Sequence, residues 1–328
     1  MISARTICKN AKKMVLKVDL FHCIPKIINA SWKIDYRKIS FSSKNKTKTM
    51  YIIRRGDSKV GLFSYFITAL GGIAYADARG WIPVVDMKNY ANTYLLTEEI
   101  SKKNSWDYFF NQPNEYSLDE ALASKNVIMG RKTPTYSFPR DNINFFHNVN
   151  GELDYWRSIC KKYVTLNVKV IERLEHEKLI FNGKKVLGVS CRGTDYVAIK
   201  PKNHPIQPSV DMVIKKVIDA ISNEGFDAVY LATEDSNIIN EFKKYFKDTL
   251  LMLNREYVNY EYDKKDFVTI YSTNREDDKY YQGMDYLISM LLLRECNGLV
   301  TSMTSGTVGL MCLTEKFNYL HVFNLGYY

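Results

Sequence analysis

Short, uncharged, largely apolar runs recur through the second half of the chain, each followed by an amphipathic stretch of helical length. The runs Val186–Cys191, Ala228–Ala232, Leu250–Leu253, Leu299–Thr301 and Tyr319–Phe323 read as strands. Between them, Ser209–Ser222, a stretch from about Asp235 to Phe246, Met284–Cys296 and Gly306 to Leu313 read as helices. Strands without polar alternation must be covered on both faces, and regular strand–helix alternation supplies that cover in a parallel sheet. The first half opens the same way. A strand at Met50–Arg54 leads into a polar loop flanked by Gly56 and Gly61. A helix follows, with Leu62, Phe66, Leu70 and Ile73 on one stripe and an end near Gly80, and then a strand at Trp81–Asp86. The pattern predicts an α/β protein made of two Rossmann-like units.

At 328 residues the chain has room for both, at roughly 130–150 residues each. The predicted division is an arm and linker over 1–49, a first unit over 50–178 ending in a charged helix at about 152–178, and a second unit over 179–328. The net charge of +10 is confined to the start. Residues 1–50 hold 12 Lys/Arg against 2 Asp/Glu, and residues 51–328 hold 34 of each. A neutral body excludes a nucleic-acid footprint. The segment 1–40 mixes basic with apolar residues, so it is read either as a solvated arm or as a peripheral contact with an anionic membrane surface. On the second reading, deleting residues 1–48 should abolish vesicle binding. Lys9, Lys12, Lys13 and Lys17 interrupt any secretory core, no run reads as a membrane span, and the expected location is cytoplasmic. The six cysteines are scattered, with no metal-ligand spacing, and fit a reducing compartment.

In open α/β sheets ligands bind beyond the carboxyl ends of the strands. Three loops there carry candidate chemistry. Ser190-Cys191-Arg192-Gly193-Thr194-Asp195 places an arginine suited to a phosphate, with Asp195 to orient it or to hold the loop. Ala232-Thr233-Glu234-Asp235 is explained by Asp235 as a helix N-cap. Thr304, Ser305, Gly306 and Thr307 form a small, hydroxyl-rich helix start whose N–H groups suit a diphosphate or simply an ordinary capped turn. Glu276-Asp277-Asp278 reads as a solvated turn. The Tyr-rich stretch 255–281, longer than a normal connection, reads as a lid or an ordered loop.

In this order the loops resemble the motifs of the fucosyltransferase superfamily that includes the α-1,2- and α-1,6-fucosyltransferases and the protein O-fucosyltransferases. CRGTDY with the later His204-Pro205 is similar to the first motif, AVYLATED to the second, and GMDYLISMLLLRECNGLVTSMTSG to the third. The opening GDSKVGLFSYFITALGGIAYADARGW is similar to the family's glycine loop and first helix. The resemblance covers about residues 51–323. It implies a GT-B arrangement, two Rossmann-like domains facing each other across a cleft, and an inverting transferase without metal or other cofactor. It also implies a GDP-fucose donor and a glycan or lipid-linked acceptor, with Arg192 stabilising the leaving diphosphate. Asp195, His204, Asp285, Thr304, Ser305, Gly306 and Thr307 would serve the donor, Asp285 by recognising guanine or else as a first-turn acid. Where the α-1,6 branch carries a glutamate this chain has Lys200, and Ser190 and Gly193 stand where the family has His and a basic residue. Asp57 in the glycine loop is the candidate base, its alternative being an Asx turn. Another GDP- or UDP-sugar donor, or a sugar-nucleotide or glycan-binding protein without activity, are the competing readings.

Overall fold

The computed structural model describes residues 35–57, 59–261 and 275–328; the side chains of residues 97 and 194–196 also fall outside the description. The basic residues 1–34 and the centre of the Tyr-rich stretch therefore lie outside it.

The first sheet has the order β1-β4-β2-β3. Strands β2 (Thr49–Arg54), β3 (Ile82–Asp86) and β4 (Asn126–Met129) run parallel, and β1 (Tyr36–Ile39) pairs antiparallel with β4. The segment expected to be arm and linker thus contributes an edge strand, exposed at all four residues. The second sheet is wholly parallel, in the order β7-β6-β5-β8-β9. Its strands are β5 (Val186–Ser190), β6 (Ala228–Ala232), β7 (Leu250–Leu251), β8 (Gly298–Ser302) and β9 (Tyr319–Phe323). Every residue of β6 and β8 is buried, as the unbroken apolar runs required.

Ten helices cover the sheets among the described residues. In the first half these are α1 (Leu62–Asp77), α2 (Leu118–Leu122), α3 (Ile143–Phe146), α4 (Glu152–Tyr163) and α5 (Val168–Glu177). The second half holds α6 (Thr194–Ile199), α7 (Val210–Glu224), α8 (Ser236–Phe246), α9 (Asp278–Arg294) and α10 (Ser305–Leu313). Local chemistry sets their ends. Ser209 accepts from the Met212 N–H to start α7, which stops at Gly225 with φ 64°. The side chain of Asp235 accepts from Asn237 N–H and starts α8.

Three expectations need correcting. The single charged helix at 152–178 is two helices, because Val164 is extended and Asn167 caps a new start at Val168. The helix expected at Met284 begins six residues earlier, at Asp278. Asp285 is therefore an interior residue and not a first-turn acid. Nor is the acidic run a solvated turn throughout: Glu276 and Asp277 are exposed, but Asp278 is 8% exposed and pairs with Arg275 at 3.0 Å.

One apolar core runs through both halves. It joins Tyr51, Phe63, Phe66 and Trp156 from the first half to Leu287, Leu291, Val308 and Met311 from the second. Helix α10 packs on α1 and α4, and α9 packs on α5. Both sheets are consequently held in one orientation, with the carboxyl ends of β2, β5 and β8 turned toward a common space.

Candidate active site

In the second sheet β6 lies on one side of β5 and β8 on the other, so strand order reverses between β5 and β8. Such a switch point splays the loops apart and opens a crevice. The register keeps the strand ends level, Ser190 opposite Ala232 and Val189 opposite Val300. Arg192 leaves the end of β5, and Thr304 to Gly306 leave the end of β8. The first sheet reverses at β2, between β3 and β4, and β2 runs straight into Arg55-Gly56-Asp57. These loops line one cavity of about 590 Å³.

Seven of the nine residues proposed from the sequence line it: Asp57, Arg192, His204, Asp285, Thr304, Ser305 and Gly306. Thr307 does not. It is fully buried, its N–H donates to Thr304 Oγ1 at 3.1 Å and its hydroxyl donates to Ser302 O at 2.6 Å. Thr307 completes the cap, leaving the N–H groups of Ser305 and Gly306, the first two of α10, at the cavity wall. A Cβ on Gly306 would lie 2.6 Å from the Tyr286 hydroxyl, so only glycine lets that ring approach. Asp195 is the second residue of α6, and its side chain is outside the description. Lys200 sits beyond the same helix with φ 49°, exposed and away from the cavity lining.

His204 is placed by the segment Gly326 to Tyr328. Tyr328 N–H donates to His204 O at 3.1 Å, and Ile206 N–H donates to Gly326 O at 2.9 Å. Asp57 keeps both of its readings. Oδ1 accepts the Lys59 N–H at 3.2 Å, an Asx turn, and Oδ2 lies 3.6 Å from Arg55 Nη2. The turn orients a half-exposed carboxylate at the cavity edge. Asp285 lines the cavity as an ion-paired carboxylate. Its oxygens pair with Arg173 Nη2 at 2.7 Å and Arg275 Nη2 at 3.1 Å, in a side chain only 5% exposed. The Arg275 guanidinium also lies over the Tyr281 ring.

The sequence reading missed most of the site's positive charge. Arg55, Arg140, Arg255 and Arg275 line the cavity with Arg192, and Lys59 adds a further cation. They come from separate segments of an electrically neutral body, and only folding gathers them. Glu234 and Glu256 are also in the lining. Glu234 is fixed at the backbone, where Val258 N–H donates to its carbonyl at 2.9 Å and Ser236 N–H to the Val258 carbonyl at 2.9 Å. Beside Arg192, burial and the charges of Glu234 and Asp235 push the Cys191 thiol up to about 12, so it stays neutral and is no nucleophile. Among the described residues no group of three His, Cys, Asp or Glu could hold a metal ion, and no helix is long and apolar enough to cross a membrane.

No protein-family model and no curated protein matches the chain. Solved structures do. A NodZ α-1,6-fucosyltransferase soaked with GDP-fucose is 15% identical over 81% of this chain and 93% of that one, with a TM-score of 0.46. The fucosyltransferase NodZ from Bradyrhizobium is 14% identical over 81% and 93%, with a TM-score of 0.45. POFUT1 in complex with GDP is 12% identical over 86% and 75%, with a TM-score of 0.38.

Proposed function

We propose that the chain is an inverting glycosyltransferase that moves a sugar from a nucleotide diphosphate, GDP-fucose on the motif resemblance, to a hydroxyl of a glycan acceptor. One observation carries this reading. The loops that resemble the superfamily's motifs lie far apart in sequence, yet they line a single cavity with five arginines and an open helix start. Fixed donors of this kind stabilise charge as it develops on a leaving diphosphate.

In the proposed reaction the diphosphate lies between Arg192 and the N–H groups of Ser305 and Gly306. The acceptor hydroxyl attacks the anomeric carbon from the opposite side. The bond from that carbon to the acceptor oxygen forms as the bond to the diphosphate oxygen breaks. The diphosphate leaves with the electron pair, and the acceptor proton passes to a carboxylate. Asp57, which follows β2 of the first sheet and lines the same cavity as Arg192, is the group assigned to that transfer. The Asx turn orients it for the role.

Calorimetric titration of GDP, UDP, CDP and ADP into the protein and its Arg192→Ala variant tests the proposal. GDP should bind selectively and lose affinity in the variant, and Arg192→Ala should lower kcat by about 10²–10³-fold. Preference for UDP would keep a nucleotide-sugar site but overturn the guanine donor. A protein that binds none of the four is not this enzyme.

A further inference from the structure

The cavity's arginines are not equally neutralised. Arg275 pairs with Asp278 and Asp285, both buried. Arg140 forms no ion pair among the described residues; its Nη1 donates to the Ser305 hydroxyl at 3.3 Å, across the cleft. Arg55 has a carboxylate only at 3.6 Å, on the half-exposed Asp57. Its Nη1 is committed to Ser64 O at 2.9 Å and Thr68 Oγ1 at 2.8 Å, while its Nε is buried and without an acceptor. Two half-buried guanidiniums with so little counter-charge leave a local excess of positive charge.

Arg55 is held by several contacts, and the backbone leading to Arg140 is anchored in the core. Arg140 follows Phe138, whose ring lies 4.4 Å from that of the buried Trp156. Arg55 is clamped to the first turns of α1, and its N–H donates to the Tyr90 hydroxyl at 2.8 Å. Burial lowers the Arg55 pKa from its ordinary value, Asp57 and Tyr65 act to raise it, and Arg140 adds a further lowering. The two charges therefore feel each other. Two like charges lining one cavity, with Arg140 reaching the start of α10, are an arrangement that an anion stabilises.

We propose that Arg55 and Arg140 form a second anion subsite on the first-sheet wall of the cleft, built for a phosphoryl group and distinct from the Arg192 loop. The subsite rests on the nucleotide-sugar reading only for the source of that group. The phosphoryl oxygens belong either to the donor's diphosphate, which Arg140 would then clasp from the far side, or to an anionic group on the acceptor.

The test titrates GDP into wild type, Arg55→Gln and Arg140→Gln, and inorganic phosphate into GDP-saturated protein. Circular dichroism verifies that each variant is folded, and Arg55→Lys retains the charge should Arg55→Gln fail to fold. If the donor is the source, GDP affinity falls roughly ten- to hundredfold in the glutamine variants and the GDP-saturated protein takes up no phosphate. If the acceptor is the source, GDP affinity is unchanged. One phosphate then binds per GDP-saturated chain, and the glutamine variants lose it. Unchanged GDP affinity with no phosphate uptake overturns the subsite. Should wild type bind no GDP, the nucleotide reading fails by itself. Pyrophosphate binding to the free protein then decides the subsite: loss in Arg140→Gln supports it, and no binding in wild type removes it.

Discussion

At the scale of single residues, the sequence announces a side chain that follows a strong strand and conceals one that joins a site through the fold. Arg192 was legible because Val186–Ser190 is an uninterrupted apolar run and the residue after such a run must lie at the sheet's carboxyl edge. Arg55, Arg140, Arg255 and Arg275 were not, since each sits in a segment with nearby acids and the body carries equal numbers of both signs. Asp285 stands in sequence as a base-recognising or first-turn acid, and nothing in its sequence neighbours announces its two arginine partners. Asp57 was found with both of its readings, and the geometry makes them compatible. As general base it should contribute about 10²–10⁴-fold to the rate. Asp57→Asn keeps an acceptor for the Lys59 N–H, so the loop should hold its shape and GDP affinity should not fall, while kcat falls by that factor. Steady-state kinetics beside a GDP titration checks the split, and a variant with full kcat would move the base elsewhere in the cavity.

At the scale of elements, β2, β3, β5, β6, β8 and β9 were legible to within a residue because their apolar runs are little interrupted, whereas β1, exposed at all four residues, and β4, buried only at alternate positions, were not. Helix ends were less legible. The start of α9 carries Asp278, Lys279, Tyr280, Tyr281 and Gln282, which lack an apolar stripe, so the visible pattern begins only at Met284. Helix α10 shows packing overriding local preference. Gly309 lies in its interior, where alanine is favoured by about 1 kcal/mol on helix propensity alone. Here a Cβ would fall 2.1 Å from Phe63 Cδ1 and 3.2 Å from Phe66 Cδ1, both on α1. Those rings are buried and cannot swing aside, so overpacking should destabilise the protein by about 1–3 kcal/mol. The sign is the test: Gly309→Ala should lower the urea midpoint, whereas a rise would mean that propensity wins. Because the same helix presents Ser305 and Gly306 to the cavity, GDP affinity should fall with it.

At the scale of the molecule, two sheets need not mean two independently stable bodies. The alternation predicted a pair of units joined by one charged helix, and both sheets are present. What lay beyond pattern reading is the covering of α10. Its apolar residues match no stripe of their own unit alone: Val308 and Met311 belong to the core that includes Phe63, Phe66 and Trp156. The backbone carbonyl of Met311 also accepts from Arg157 of α4 at 3.3 Å, and Arg173 of α5 pairs with Asp285 of α9. Parting the halves would strip apolar surface from both at a cost of roughly 25 cal/mol per Å², and would leave Asp285 without one of its counter-charges. Each sheet keeps a smaller core of its own, Met50, Val84, Leu118 and Val127 in the first half and Leu187, Val213, Val229 and Phe242 in the second, but the larger shared core closes in neither half without the other. Calorimetric unfolding of the whole chain should show one transition with equal calorimetric and van't Hoff enthalpies. GDP should move that transition upward without splitting it. Residues 179–328 expressed alone should remain unfolded or aggregate, since α9 and α10 would expose their buried faces. Two resolved transitions, or a folded second half in isolation, would mean that the shared core contributes less than the cores of the separate sheets.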